Sequence, residues 1–413
     1  SIWGGTNYPF DSLNQELFLK KFKDIDIHTF YEGENAFVNF LERYLSSTSK
    51  KQVFENPIDG CQFISPETGK LVTGQALKRI KLLDDIPSPY TLGLFDEFFD
   101  GILTPLVETA RGCPFKCNFC NAGDSYFNKV NMFSDEYVKE ELTYIAKKAQ
   151  DKNIKHVTFC DNNFGMIPRD VKTVEVVFNL QKKYSWPLSM TVWTGKNAKE
   201  RVIDATRKLG QSLNISMSVQ SMDNEVLQNV SRDNIKLDHY KAIADELNSQ
   251  GRPQLAEVIM PLPGETFEAH IKGLNDLLDT NVNKVFSHTL QMLHGTPYKD
   301  NPNYVEKYGY KTKWRIVPLD FSKLNDTKIF DVEEVAIETN TMSFEEYLTA
   351  RKYLFLIDLC HNTQIFSALQ KYLKQNSLRI SSWINYLFGV LESSPVSVKN
   401  VFDKFCVESS NEL

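Results

Sequence analysis

Between about residue 103 and 293 one rhythm repeats six times: a short β-rich apolar run, a polar turn, then a helical pattern. The runs are LTPLVETA (103–110), HVTFCD (156–161), LSMTVWTG (188–195), NISMSVQS (214–221), QLAEVIMPL (254–262) and KVFSHTLQML (284–293). Strands that alternate with helices cannot pair as hairpins. They form right-handed βαβ units around a parallel sheet. Six such units predict an α/β fold, a partial (β/α)6 barrel spanning 101–295, with its chemistry at the C-terminal strand ends.

The intervening segments carry helix signals. In 134–150, Val138, Leu142, Ile145, Ala146 and Ala149 fall on one face, and Ser134 is placed to cap the helix ahead of Asp135 and Glu136. Further helices are predicted over 169–184, 198–210 (stopped by Gly210), 237–250 and 267–279. Residues 1–45 read as strand, Gly-containing turn and helix, a partial N-terminal α/β unit. Residues 46–100 are turn-rich and read as a linker. From 296 to 413 the rhythm breaks into a mainly helical C-terminal region, with 343–362 the strongest helix.

The chain has 413 residues and a net charge of −6. That mild acidity argues against a non-specific nucleic-acid or anionic-membrane binder. No apolar run is long enough to span a bilayer. The start, SIWGGTNYPF, has no basic stretch followed by an apolar one. It also lacks a Met, consistent with a processed start or a fragment. Seven cysteines without a regular framework predict a reducing, cytoplasmic setting.

Three of those cysteines, Cys113, Cys117 and Cys120, crowd into RGCPFKCNFCNAG directly after the first strand candidate. Spaced C-x3-C-x2-C, they can ligate metal from one loop. Structural zinc would want a fourth ligand and a closed shell. A 4Fe–4S cluster also usually takes four thiolates, so three would leave one iron open. The only further strand-end thiol is Cys160.

This loop resembles the signature of the radical SAM superfamily, C-x3-C-x-aromatic-C, with Phe119 as the aromatic. The resemblance covers 103–293. It implies that the three cysteines hold a 4Fe–4S cluster, and that S-adenosylmethionine (SAM) chelates the fourth iron through its amino and carboxylate groups. Reductive cleavage of SAM would then release a 5′-deoxyadenosyl radical. Other positions are similar to family motifs. FCDNNFG stands where many members have Gly-Gly-Glu, which places Asp161 near the SAM amino group; a turn or cap role is the alternative. SVQSMDNEVLQNVSR implies Gln220 and Ser221 near the ribose and Arg232 near the SAM carboxylate, against simple turn capping. MPLPGET implies Gly264 and Glu265 on the adenine side, Gly264 for close backbone approach and Glu265 as a brace. Glu257 faces either the barrel interior or its exterior. His294 and the aromatics Tyr304, Tyr308, Tyr310 and Trp314 are mouth candidates whose commoner role is packing.

IWGG followed by IDIHTFYEGENAF resembles the tail of the α/β domain that precedes the barrel in the cobalamin-binding branch, through Gly4, Gly5, Gly33 and Glu34. Residues 1–45 thus read as the remnant of a truncated or degenerate cobalamin-binding-like domain, or as a plain α/β decoration. The combined expectation is a radical SAM enzyme acting on a small-molecule, natural-product-like substrate, with cobalamin-dependent methyl transfer as a further step. It would draw electrons from a reductant protein such as flavodoxin or ferredoxin. A cobalamin-independent isomerase, cyclase or sulfur-inserting enzyme is one alternative. A zinc-stabilised binding module is another.

Overall fold

A computed structural model describes residues 1–194, 199–232, 237–251, 254–280 and 282–413, with backbone alone at 199, 214–217, 237–239, 319 and 324. Gly195, the end of the third expected strand, and Ala198, the start of the helix after it, lie outside the described residues. The chain divides into two compact units. One comprises Ser1–Leu83, Cys113–Asn131 and Met292–Lys307; the other comprises Asp84–Gly112, Met132–Gln291 and Tyr308–Leu413. The sequence-based boundaries at 45, 100 and 295 do not coincide with these units, because the cysteine loop groups with the N-terminal residues.

In the first unit, β1 (Ile2–Gly4), α1 (Ser12–Lys21), β2 (Ile27–Thr29) and α2 (Gly33–Ser46) are joined by β3 (Cys61–Ile64) and β4 (Leu71–Thr73). The sheet runs β1-β2-β3-β4. The β1–β2 pair is parallel and the other two pairs are antiparallel. Ile27, Ala36, Phe40, Ile58, Cys61 and Phe63 form its core. The stretch read as a linker therefore carries two strands. Both are short and bounded by turn residues, so they present no periodicity long enough to register.

The second unit holds β5 (Leu106–Val107), α3 (Asp135–Asp151), β6 (His156–Phe159), α4 (Asp170–Tyr184), β7 (Ser189–Trp193), α5 (Lys199–Leu209), β8 (Leu213–Gln220), α6 (Asn224–Asn229), α7 (Leu237–Ser249), β9 (Leu255–Met260), α8 (Phe267–Leu278) and β10 (Lys284–Thr289). The six strands form one sheet in chain order from β5 to β10, with parallel neighbours throughout. The sheet does not close, which gives the partial barrel expected. Capping agrees with the sequence: Ser134 accepts from Tyr137 N at the start of α3, and the five apolar residues of its expected stripe are all buried. Thr266 accepts from Ala269 N at the start of α8.

The two faces of the sheet differ. Along β9, Ala256, Val258 and Met260 are buried, whereas Leu255, Glu257 and Ile259 are half-buried. Ala256 and Val258 pack with Tyr240, Leu274, Leu277, Tyr353 and Ile357 under the helices, and Met260 packs with Val335, Met342 and Tyr347, each large apolar side chain contributing about 1.5–3 kcal/mol by leaving water. The half-buried set lines the open inner face. Parallel sheets ordinarily bury both faces under apolar side chains, so a face left half-buried, with the Glu257 carboxylate on it, marks where a ligand would lie.

Beyond the barrel, α9 (Phe344–Ile357) starts with a reciprocal Ser343–Glu346 capping box. Helices Ser367–Gln375, Ile380–Gly389 and Val396–Glu412 follow. The mainly helical C-terminal region also contains a long antiparallel ribbon, β11 (Lys311–Leu324) and β12 (Thr327–Glu338), which the sequence reading did not anticipate. Its alternation is broken by the register shift between Ile316 and Phe321, around Pro318, a residue tolerated in strands at bulges and edges.

Candidate functional site

The cysteine loop is held by its backbone. Cys113 N donates to Phe127 O at 2.8 Å, Cys120 N to Cys117 O at 3.2 Å and Gly123 N to Cys120 O at 2.9 Å. Gly123 is required here: a Cβ at that position would stand 2.3 Å from the Cys117 carbonyl oxygen. Asn118, between two of the cysteines, accepts from Tyr298 OH at 2.8 Å and donates to Tyr304 OH at 3.0 Å. Asn121 donates to His294 O. Cys117 is buried, Cys113 half-buried and Cys120 exposed. A closed structural zinc site needs a fourth ligand beside the three thiols. A 4Fe–4S cluster instead places each thiolate on a different iron. Three thiols on one braced loop fit that donor set.

Sequence reasoning missed the Asn118–Tyr298–Tyr304 brace, since its partners are 180 or more positions apart. His294 is a structural residue: its Nδ1 lies 3.0 Å from Asp300 Oδ1, its backbone N donates to Asn7 at 2.8 Å, and Phe18 meets its ring edge-on. The four aromatics expected at the mouth do not share one setting. Tyr304 braces the cysteine loop, Tyr310 OH donates to Pro261 O at 3.3 Å, and Trp314 is exposed on the ribbon.

In the other unit the expected residues sit at C-terminal strand ends. Asp161, past β6, is buried and accepts from Thr109 N at 2.7 Å, Ala110 N at 3.1 Å and the Thr109 hydroxyl. Its carboxylate thus ties the end of β6 to the chain leaving β5, a role that neither reading of the sequence foresaw. Arg169, at the start of α4, donates to Thr109 O at 2.7 Å and Thr109 Oγ1 at 3.1 Å. Gln220 ends β8 in the left-handed region, at φ 67°, where a bulge separates Ser218 from Gln220. A non-glycine residue held there stores strain of the kind that gathers at functional sites. Ser221 is buried and accepts from Asp223 N at 3.2 Å. Arg232, also buried, reaches back to Ser218 O.

The loop after β9 is braced from two sides. Glu265 is buried, accepts from Leu262 N at 3.1 Å, and places Oε1 3.0 Å from His270 Nδ1. Asn229, at the end of α6, donates to Pro263 O at 2.9 Å. Gly264 adopts φ 80°, and a Cβ there would come within 2.8 Å of Asn229 Nδ2. The inner face carries two polar groupings. Glu257 Oε1 lies 3.3 Å from His288 Nε2, while His156 Nδ1 lies 2.8 Å from Ser189 Oγ. Glu257 therefore faces the barrel interior. Burial holds the His156 imidazole below its ordinary range. Burial, and then the charges of Asp161 and Glu108, push the Cys160 thiol up to about 11.

Burial also raises the Asp161 carboxyl to about 6, against the opposing pull of the three hydrogen bonds it accepts. A carboxyl raised on folding gives stability that is full below its unfolded value, near 3.8, and is lost as pH rises through about 6. Asp161→Asn keeps an acceptor for both backbone N–H groups and removes the titration. Urea unfolding of this variant should show no Asp161-dependent slope between pH 4 and 6. Asp161→Ala strands both N–H groups and should cost about 2–4 kcal/mol. A retained slope in the Asn variant would assign the titration to another group.

Residues 107–277 match the radical SAM superfamily. Over 388 residues the chain is 27% identical to the cobalamin-dependent radical SAM methyltransferase TokK of Streptomyces tokunonensis, covering 91% of this chain and 54% of that protein. It is 26% identical over 370 residues to the 2-(S-pantetheinyl)-carbapenam-3-carboxylate methyltransferase of Streptantibioticus cattleyicolor, covering 87% of this chain and 52% of that one. The chain thus spans about half the length of these curated relatives. Its fold is similar to that of the cobalamin-dependent radical enzyme OxsB with aqua-cobalamin and SAM bound (TM-score 0.59, 14% identity, 99% of this chain and 62% of OxsB). It is also similar to the methyltransferase TsrM of Kitasatospora setae (TM-score 0.55, 12% identity, 72% of this chain and 56% of TsrM). Among the described residues no helix is long and apolar enough to cross a membrane. The six-stranded parallel sheet, the cysteine loop after its first strand and these matches converge on one stretch: residues 107–277 match a radical SAM domain.

Proposed function

We propose that this chain is the SAM-cleaving part of a radical SAM enzyme of the cobalamin-dependent methyltransferase type, acting on a small-molecule substrate. The observation that carries the reading is the braced loop presenting Cys113, Cys117 and Cys120. When bound, a 4Fe–4S cluster supplies the electron that splits the SAM sulfonium to a 5′-deoxyadenosyl radical, and the protein's share is to position and shield. In this reading the three thiolates hold the cluster, and the Gly264 turn accepts the adenine edge of SAM, with Glu265 and Asn229 fixing its backbone. Gln220, Ser221 and Arg232 shape the ribose and carboxylate side. Asp161 acts there through the Thr109–Ala110 backbone. The inner face, with Glu257 and His288, orients the polar part of the substrate. The methyltransferases TokK and its carbapenam-methylating relative support methyl transfer as the outcome. An electron-donor protein such as flavodoxin or ferredoxin and a cytoplasmic setting belong to the same proposal.

Cobalamin fits the described residues less well. Only β1 and β2 of the N-terminal sheet are parallel, and a parallel pair does not make the broad surface on which a corrin rests. The 413-residue chain, reconstituted anaerobically with iron and sulfide and reduced with dithionite, should form 5′-deoxyadenosine from SAM, while titration with hydroxocobalamin should give weak binding or none. Zinc without iron or sulfide would overturn the radical reading. Tight hydroxocobalamin binding would overturn the assessment of the N-terminal sheet.

A further inference from the structure

The β11–β12 ribbon is two-faced. Directly paired residues of antiparallel strands point to the same side. The register pairs Trp314 with Glu334, Ile316 with Val332, Phe321 with Phe330 and Lys323 with Lys328. Because 328, 330, 332 and 334 alternate along β12, all eight side chains share one face. That face is apolar along its middle, and its five large residues stand open to solvent: Trp314 at 53%, Ile316 at 55%, Phe321 at 72%, Phe330 at 56% and Val332 at 55%. The opposite face is anchored at its base. There Arg315 pairs with Glu333 at 2.7 Å, both nearly buried, and Glu412 joins Arg315 at 3.6 Å and Arg351 at 3.1 Å. Val335 and Ile337 pack into a core with Met260, Met342 and Tyr347. The body thus fixes which face points outward, and the outward one is the apolar one.

A free two-stranded ribbon is marginal in water, and a contiguous exposed apolar face marks an interaction surface. Charge decides among occupants. Lys323 and Lys328 stand side by side at the tip of the apolar face, a like-charge pair that is unfavourable when directly opposed; Asp326 offsets it only through Lys323, at 2.6 Å. Glu334 stands at the other end of the face, beside Trp314, about 20 Å away at ~3.4 Å per residue.

We propose that this face is an isologous interface between two copies of this chain. A two-fold axis crossing the ribbon near Phe330 and Val332 lays the two apolar faces together with their long axes reversed. The lysine tip of each copy then falls on the Glu334 and Trp314 end of the other. That arrangement supplies a carboxylate and an aromatic face to cations that otherwise repel one another. The five side chains offer on the order of 600 Å² per copy, so the interface lies near the lower limit for specific association and the dimer is of modest affinity. The inference is independent of the proposed activity.

Sedimentation velocity of the 413-residue chain from about 1 to 100 µM should show a concentration-dependent monomer–dimer equilibrium. Val332→Lys, at the centre, should weaken it at least tenfold while leaving the circular dichroism unchanged, since the side chain is exposed in the monomer. Lys328→Glu should also weaken it, and adding Glu334→Lys to the same chain should restore it, because each copy supplies both halves of the reversed pair. A chain that stays monomeric throughout, a Val332→Lys variant that dimerises normally, or a double variant no better than Lys328→Glu would each overturn the proposal. So would a monomer whose ribbon instead binds anionic phospholipid vesicles.

Discussion

Replacing Cys113, Cys117 and Cys120 together by alanine should abolish iron and acid-labile sulfide in the reconstituted protein, and with them its brown colour and all formation of 5′-deoxyadenosine. The effect should be complete because the four other cysteines, Cys61, Cys160, Cys360 and Cys406, are scattered singly along the chain. Cys61 and Cys360 are also buried in apolar cores. The fold should survive the change. The loop is closed by backbone bonds from Cys113, Cys120 and Gly123 and by the Asn118 amide, none of which uses a sulfur. Circular dichroism and thermal melting of the triple variant should therefore match the metal-free parent. Retention of full iron and sulfide would remove the three cysteines from the cluster. If Cys160→Ala alone emptied the protein of iron, the site would be closed by a fourth thiolate and would leave no open position for SAM.

The barrel was legible because its signal is repeated. Each strand buries alternate residues against helices, as Ala256, Val258 and Met260 do, and the helices between them carry stripes such as Val138, Leu142 and Ile145. The cysteine triplet was legible as a pattern because its three thiols fall within eight positions. Glu265 as a brace was legible for a similar reason: it bonds to Leu262 and His270, both within one loop and one helical turn. What escaped depends on distant partners. Asp161 looks like an available carboxylate in sequence, and only the return of the chain to Thr109, 52 positions earlier, occupies it. Nothing local in Asn118 announces Tyr298 and Tyr304. The ribbon escaped because its apolar residues are spread over two strands and interrupted by a register shift; one face emerges only when both strands are laid side by side.

Gly264→Val should raise the SAM dissociation constant at least tenfold, about 1.4 kcal/mol, without loss of the cluster. Two costs act at one atom. The backbone sits at φ 80°, which a β-branched side chain adopts only with strain, and the new Cβ would press within 2.8 Å of Asn229 Nδ2. Asn229 cannot simply swing away, because its amide holds Pro263 O at 2.9 Å. Relieving the clash therefore moves the Pro263–Gly264 backbone, the segment expected against the adenine, while Glu265 still clamps Leu262 behind it. The proposed cluster ligands lie in residues 113–120, so iron content should not change. Gly264→Ala brings the same Cβ without the two methyl groups, so its affinity should fall between parent and Val. Equilibrium dialysis against SAM measures the series, and thermal melting shows whether each variant is folded. A folded Val variant that binds SAM as the parent does would take this loop out of the cofactor site. A graded loss, with iron unchanged, would separate the adenine side of the site from the cluster side in a single set of proteins.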